Sequence, residues 1–381
     1  MEKQRVTMQQ SSRARQYSRL SLFISLASSG LSLLITLLIL GGGYHITLRD
    51  IAFRHADNPY LALLIFGLLT GLIYGVAGAP LAWLGGYWLE HRYGLSNQSM
   101  GQWLFERFKM MLVGLLLFTP LFLLFYYFFS NYPQSWWFWT ASALFLFSVV
   151  LGKLAPQLIF PLFYKFEPLD DPRLLQRMEA LAKTGNFNLR GVYRFDMSKT
   201  TNKANAAFTG MGKSKRIIIG DTLLSQMNAD EIETVFAHEV GHYVHRHITQ
   251  GLLIGTLVSY GSLWLTALLY EAWRPLFNIA EHGDISGLPL LALILTLINM
   301  PLAPLQNLIS RLNERQADRY AIEHSSNPRA FPEALKKLAE SNLSDPEPAP
   351  WIEFLFHSHP SINRRLAYTA RFLREKGVEV S

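Results

Sequence analysis

His238, Glu239 and His242 fall within one run of five residues, His238-Glu239-Val240-Gly241-His242. Two imidazoles four positions apart on a helix project from the same face and can close on one metal ion. A carboxylate beside the first of them is placed to take a proton from a metal-bound water and pass it to a leaving amine. That chemistry is hydrolysis of a peptide bond, provided the segment is helical and a third protein ligand exists. Cysteine is absent, which excludes disulfides and thiol nucleophiles and leaves only nitrogen and oxygen to hold a metal. Such a donor set suits zinc, one ion per chain, although it also accepts cobalt or manganese in vitro.

The helical requirement is met locally. Asn228 can cap a helix with Glu231 at its third position, and Ile232, Val235 and Phe236 give it an apolar side. The third ligand is harder to find. The longer zincin pattern would place a histidine six residues after His242, where Ile248 stands. His245 and His247 do not repeat the four-residue spacing and read as surface or interfacial histidines. A carboxylate is the other solution, and Glu314 is the candidate. Asp318, one helical turn later, is placed to accept a hydrogen bond from the far nitrogen of a ligand histidine. The competing reading makes Glu314, Arg315, Asp318 and Arg319 an ordinary ion-pair face in solvent.

The elements that must position these groups are mostly membrane helices. No Asp, Glu, Lys or Arg occurs in 20–48, 58–89, 110–152, 250–270 or 285–310. A spanning helix needs roughly 20 apolar residues. The third stretch is long enough for two, with Asn131-Tyr132-Pro133-Gln134 as the turn and Trp136, Trp137 and Trp139 as interfacial anchors. Six spans are expected, at about 20–42, 60–84, 110–130, 136–158, 251–271 and 287–307. Two of them separate His242 from Glu314, so the chain returns to its starting side and the two can meet.

The net charge of +7 does not mark a nucleic-acid binder, because the basic residues are spread among the ends of the spans. Lys3, Arg5, Arg13, Arg15 and Arg19 precede the first span, Arg92, Arg107 and Lys109 lie between the second and third, and Arg311, Arg315 and Arg319 follow the sixth. These ends alternate as the cytoplasmic side should, although Arg49 and Arg54 in a far-side loop weaken the contrast. The expectation is an integral multi-pass protein with active site and both termini in the cytoplasm, its first apolar stretch a retained anchor.

The fold class expected is a multi-span all-helical membrane protein with a cytoplasmic zincin-type metallopeptidase α+β domain. Residues 1–164 form an N-terminal membrane region with four spans. Residues 165–250 form the peptidase region, with a helix over Glu167–Asn186, strands at Gly191–Met197 and Arg216–Gly220, and a short edge strand over Ala204–Gly210. A transmembrane hairpin at 251–307 and a cytoplasmic region at 308–381 complete the chain. The last region carries the third ligand, a proline-rich break at Pro346–Pro350 and a terminal helix from about Ile362.

With these residues in view, the chain resembles the CAAX prenyl protease type 1 family of integral-membrane zinc metallopeptidases. The resemblance rests on His238–His242, on Ser310-Arg311, Glu314 and Ala317-Asp318, and on His357-Ser358-His359-Pro360. It extends through His91–Gln98, Pro161–Phe166 and Asn205–Gly210, and covers roughly 50–370. It implies His238, His242 and Glu314 as zinc ligands, Glu239 as general base and Asp318 as the carboxylate behind the ligands. It further implies that Asn205 and the strand around it hold substrate backbone, a mode of strand addition. His359 would help hold substrate or polarise the scissile carbonyl, and Arg365 would supply a structural or transition-state-side charge, counted with the substrate-binding residues. Eukaryotic members have seven spans where this chain offers six, and the residue after the glutamate ligand, often aromatic there, is Arg315 here.

The leading expectation is a zinc-dependent membrane endopeptidase acting on membrane-associated or lipidated proteins or peptides, with membrane lipid as its other partner. The alternative is a membrane scaffold or transport component with a structural or inactive zinc site. Ionisable residues within the spans would favour transport, and the apolar stretches almost lack them. A structural site would also have no use for Glu239.

Overall fold

The computed structural model describes residues 2–185, 189, 191–209 and 216–377. Its membrane half begins with α1 (Glu2–Gly41) and the short α2 (Tyr44–His55). The next helix, α3 (Pro59–Trp83), runs through a π-helical stretch at Leu84–Trp88 into α4 (Leu89–Arg92). The third and fourth spans are α5 (Met100–Asn131) and α6 (Trp136–Leu154), the latter passing through another π-helical stretch, Ala155–Ile159, into α7 (Phe160–Phe163). The α+β unit follows, with β1 (Phe166–Pro168), α8 (Pro172–Thr184), β2 (Val192–Phe195), β3 (Ala206–Thr209), β4 (Arg216–Gly220), α9 (Asp221–Gln226) and α10 (Ala229–Val244). The last two spans belong to α11 (His247–Trp273) and α12 (Leu288–His324), and α13 (Ala330–Ser341), α14 (Pro350–Phe356) and α15 (Ile362–Glu375) end the chain.

Among the described residues, six helical segments are long and apolar enough to cross a membrane: Ser11–Gly41, Pro59–Arg92, Met100–Asn131, Trp136–Phe163, His247–Phe277 and Ile285–His324. Each overlaps one expected span and extends it. Leu116, Leu257 and Met300 are more than 70 % exposed, an outward apolar surface that suits lipid and not water. The 12-residue α2 is too short to cross and packs with α1 and α3. Arg49 on α2 pairs with Asp284 at 2.7 Å, which neutralises one of the far-side charges noted in the sequence.

Local signals set the helix ends. Asn58 accepts hydrogen bonds from the Tyr60 and Leu61 amides, with Pro59 opening α3. Ser99 and Gln102 form a reciprocal capping box at α5, as Asn228 and Glu231 do at α10. Asp171 caps α8 through the Leu174 amide. That cap corrects the expected helix over Glu167–Asn186, because Pro172 takes the first helical position and Glu167 lies in β1, opposite Arg194. Asn186 and Gly210 lie outside the described residues. β2 is shorter than Gly191–Met197, since Met197 opens a 3₁₀ turn.

The sheet order is β1-β2-β4-β3. β2 and β4 run parallel, and the other two pairings are antiparallel. β3 pairs only with β4 among the described residues, so it is an edge strand.

Among the described residues two large cores, with a small third cluster around Tyr17, Leu89, Tyr93 and Leu95, support this arrangement. Phe66, Phe129, Trp136 and Tyr270 fill the membrane half. Trp136 is therefore a core residue and not the interfacial anchor expected of it, whereas Trp139 is exposed. Met178, Ile217, Ile219, Phe236, Val240, Phe331 and Leu373 fill the α+β unit between sheet and helices. α12 joins the two halves without a break at 307–308, with Pro301 and Pro304 inside it.

Candidate metal centre

α10 and α12 pack at Gly241. A methyl group there would lie 2.9 Å from both Ala317 Cα and Tyr320 Cβ, so only a glycine lets the helices approach this closely. That approach brings the sequence-separated groups together. His238 Nε2 lies 3.5 Å from Glu314 Oε2, and His242 Nε2 lies 3.3 Å from Glu314 Oε1. The two Nε2 atoms are 3.1 Å apart, and one donor atom from each of the three residues lies within 4.8 Å of the others.

The donor chemistry suits a cation. Asp318 Oδ1 lies 3.0 Å from His238 Nδ1, and its negative charge favours the proton on that nitrogen. His238 Nε2 then presents a lone pair toward its neighbours. Glu314 Oε2 is buried and has no hydrogen-bond partner. A buried carboxylate oxygen left unsatisfied is costly. A positive charge at the focus of these atoms removes that cost. With no metal bound a proton serves: burial pushes His238 down, but the Asp318 and Glu314 carboxylates outweigh it and hold the imidazole up to about 9.

Arg365 lies beneath this layer. Its Nη2 donates to Asp318 Oδ1 at 2.5 Å and its Nε to Asp318 Oδ2 at 3.0 Å, a bidentate fork. Nη2 also stands 3.7 Å from Glu314 Oε2. Arg365 was expected as a structural or transition-state-side charge; its guanidinium borders the cleft and is engaged by Asp318.

The centre opens into a cleft of about 900 Å³ that Glu239, Asn205, His359 and Arg365 all line. His359 is mostly exposed, with Nε2 3.3 Å from Glu314 Oε1. Its loop is anchored by Arg311, whose Nη1 donates to the carbonyls of Glu353 at 3.0 Å, Phe354 at 3.4 Å and His357 at 2.6 Å. The Asn205 carbonyl accepts from the Gly220 amide at 2.9 Å, and the residue leads into edge strand β3. Behind Glu239 and His242 a second groove of about 410 Å³ runs between α11 and α12, past Gly251, Gly255, Gln306 and Asn313.

Sequence reasoning missed two features here. Arg311 was counted as a charge beside a span and as part of the Ser310-Arg311 resemblance, with no role given to it in the site. His247 was read as a surface or interfacial residue, yet it is 8 % exposed and its Nδ1 lies 2.9 Å from His242 Nδ1. A turn in the left-handed conformation at Arg246 (φ 57°) folds the chain back there, and no residue type at that position announces it.

Comparison with known proteins gives a consistent picture. Residues 168–371 match the family described as Peptidase family M48, and residues 2–165 match CAAX prenyl protease N-terminal, five membrane helices. In that second region the chain has four spanning helices and the short α2. An uncharacterized metalloprotease of Bacillus subtilis, YhfN, is 29 % identical over 94 % of this chain and 85 % of its own length. CAAX prenyl protease 1 of Saccharomyces cerevisiae is 28 % identical over 83 % of this chain and 73 % of its own. The crystal structure of S. mikatae Ste24p superposes with a TM-score of 0.85 at 26 % identity, covering 95 % of this chain and 89 % of that one.

Proposed function

The chain belongs to peptidase family M48, and from that premise we propose that this membrane metallopeptidase holds one zinc ion and cuts prenylated or otherwise membrane-anchored proteins. The observation that carries the zinc assignment is the gathering of one ligand atom each from His238, His242 and Glu314 within 4.8 Å of one another. His238, His242 and Glu314 are the ligands on this reading, three protein donors with a position left open as catalytic zinc requires. When bound, zinc polarises the scissile carbonyl and lowers the pKa of its water.

The chain's own groups do the rest. Glu239, on the cleft wall beside the ligands, takes the proton of the attacking water and delivers it to the leaving nitrogen. His359 donates a hydrogen bond to the carbonyl oxygen as negative charge develops on it. The free edge of β3 with Asn205 aligns the peptide as an added strand. Asp318 orients His238, and Arg365 holds Asp318 in turn.

The groove between α11 and α12 supports a membrane-anchored substrate, because it leads from Glu239 toward the apolar helices. We further read the chain as membrane regions at 1–164 and 251–307 and peptidase regions at 165–250 and 308–381, with both termini and the centre on the cytoplasmic side.

The test is metal content and cleavage of a peptide and prenylated-peptide set by detergent-purified protein, with Glu239→Gln as control. About one zinc per chain in both proteins, with cleavage of prenylated peptides by the unmutated one alone, is expected. No zinc after a metal-preserving preparation overturns the assignment. Equal cleavage by Glu239→Gln overturns the role of the carboxylate.

A further inference from the structure

The two ligand histidines have different partners on their far nitrogens. His238 Nδ1 faces the charged Asp318–Arg365 pair. His242 Nδ1 faces a neutral relay: His247 Nδ1 at 2.9 Å, then His247 Nε2 to Gln316 Oε1 at 2.8 Å. We propose that His247 and Gln316 are positioning residues that fix the tautomer and ring orientation of His242 and so complete the metal centre. The inference rests on the metal reading above.

The argument is one of proton direction. One proton lies between the two Nδ1 atoms, and it belongs to one ring or the other. If Gln316 accepts from His247 Nε2–H, the His247 Nδ1 lone pair must accept from His242 Nδ1–H. His242 Nε2 is then bare and aimed at Glu314 and His238, where a metal needs it. If the amide were reversed and donated to His247 Nε2, His247 would carry its proton on Nδ1 and donate it to His242. His242 would then hold a proton on Nε2 and could not bind the metal there. Only the first direction supports the centre, and it is the one consistent with Gln316 Oε1, an acceptor, standing 2.8 Å from His247 Nε2.

The fold is arranged to make this contact. The left-handed turn at Arg246 sets the start of α11 back against α10, which puts His247 beside a residue five positions earlier that no continuous helix would align with it. His247 is buried to 8 % exposure at the wall of the groove between α11 and α12. Gln316 lies on α12 between Glu314 and Asp318, so this helix supplies a ligand, the outer partner of His238 and the group that holds His247.

The test measures zinc affinity by chelator competition, and the visible spectrum of the cobalt(II) form, in purified full-length protein. The variants are His247→Leu, His247→Asn and Gln316→Met. His247→Leu removes the acceptor and should weaken zinc about 10- to 100-fold, as loss of such outer partners does. His247→Asn keeps an acceptor oxygen and should recover part of that loss. Gln316→Met alters an exposed side chain, so it leaves the fold intact while freeing the relay to reverse. It should weaken zinc several-fold and change the cobalt spectrum. Unchanged affinity and spectrum in both His247→Leu and Gln316→Met overturn the inference, as does an equal loss in His247→Leu and His247→Asn with Gln316→Met unaffected. Absence of zinc from the unmutated protein overturns the metal reading instead, so the two failures are distinct.

Discussion

Replacing Gly241 by alanine should damage the metal centre more than the fold. The added Cβ would sit 2.9 Å from Ala317 Cα and Tyr320 Cβ and 3.2 Å from the Ala317 carbonyl oxygen. Ordinary carbon contacts need about 3.5–4.0 Å, so the helices must part by roughly 0.6–1.1 Å. Overpacking of this kind costs about 1–3 kcal/mol. Alanine returns about 1 kcal/mol through its better helix propensity. The net loss of stability is therefore only about 0–2 kcal/mol. The metal is less forgiving, because ligand distances tolerate only about 0.2 Å and the interface at Gly241 separates the two histidines from Glu314. Zinc affinity should fall at least about tenfold, and turnover by up to about a hundredfold for each ångström of misplacement. Chelator competition and thermal melting, run on the same preparation, separate the two effects. Ala317→Gly should not rescue, since the contacts are to backbone and to Tyr320. Wild-type zinc affinity in Gly241→Ala, or rescue by Ala317→Gly, would refute the reasoning.

Other outcomes follow from the same geometry. His238, held up to about 9 from 6.5, stabilises the metal-free fold through its proton below pH 6.5, and that contribution is lost as pH rises through about 9. Zinc must displace this proton, so its affinity should climb about tenfold per pH unit across that window and then level; a flat profile counts against it. Asp318→Ala strips the Arg365 guanidinium of its bidentate partner, leaving it Glu314 Oε2 at 3.7 Å, and should cost up to about 3–5 kcal/mol, read by denaturant unfolding. A loss below about 1 kcal/mol would show the fork to be dispensable. Arg311→Ala frees the carbonyls that anchor the His359 loop; kcat/KM should fall about tenfold or more with zinc content unchanged. Parallel loss of zinc would mean that Arg311 supports the ligands themselves.

What the sequence revealed about this centre depended on spacing along single helices. His238 and His242 share a face by arithmetic, and so do Glu314 and Asp318. The six spans were legible because lipid demands long uncharged stretches, which few other structures require. Contacts made by tertiary folding left no such trace. The approach at Gly241 depends on the backbone and the Tyr320 side chain of another helix, and His247 reaches His242 only because Arg246 takes a left-handed conformation. β1 was read as helix because Glu167 and Pro168 precede a helical stripe, and only the Asp171 cap fixes where that stripe begins. Trp136 looked like an anchor by its place beside a turn, but position along a span does not say which way a ring faces.

Glu314 rides on a helix that is also the sixth membrane crossing. It lies inside the continuous helical segment Ile285–His324 that is long and apolar enough to cross. A thicker or thinner bilayer changes the tilt of a spanning helix to relieve hydrophobic mismatch. Here tilt would carry a ligand with it, moderated by whatever bend Pro301 and Pro304 permit. The acyl-chain length of the surrounding lipid thus becomes a variable of the coordination geometry. An enzyme of this build would be tuned by the membrane it sits in before any substrate arrives.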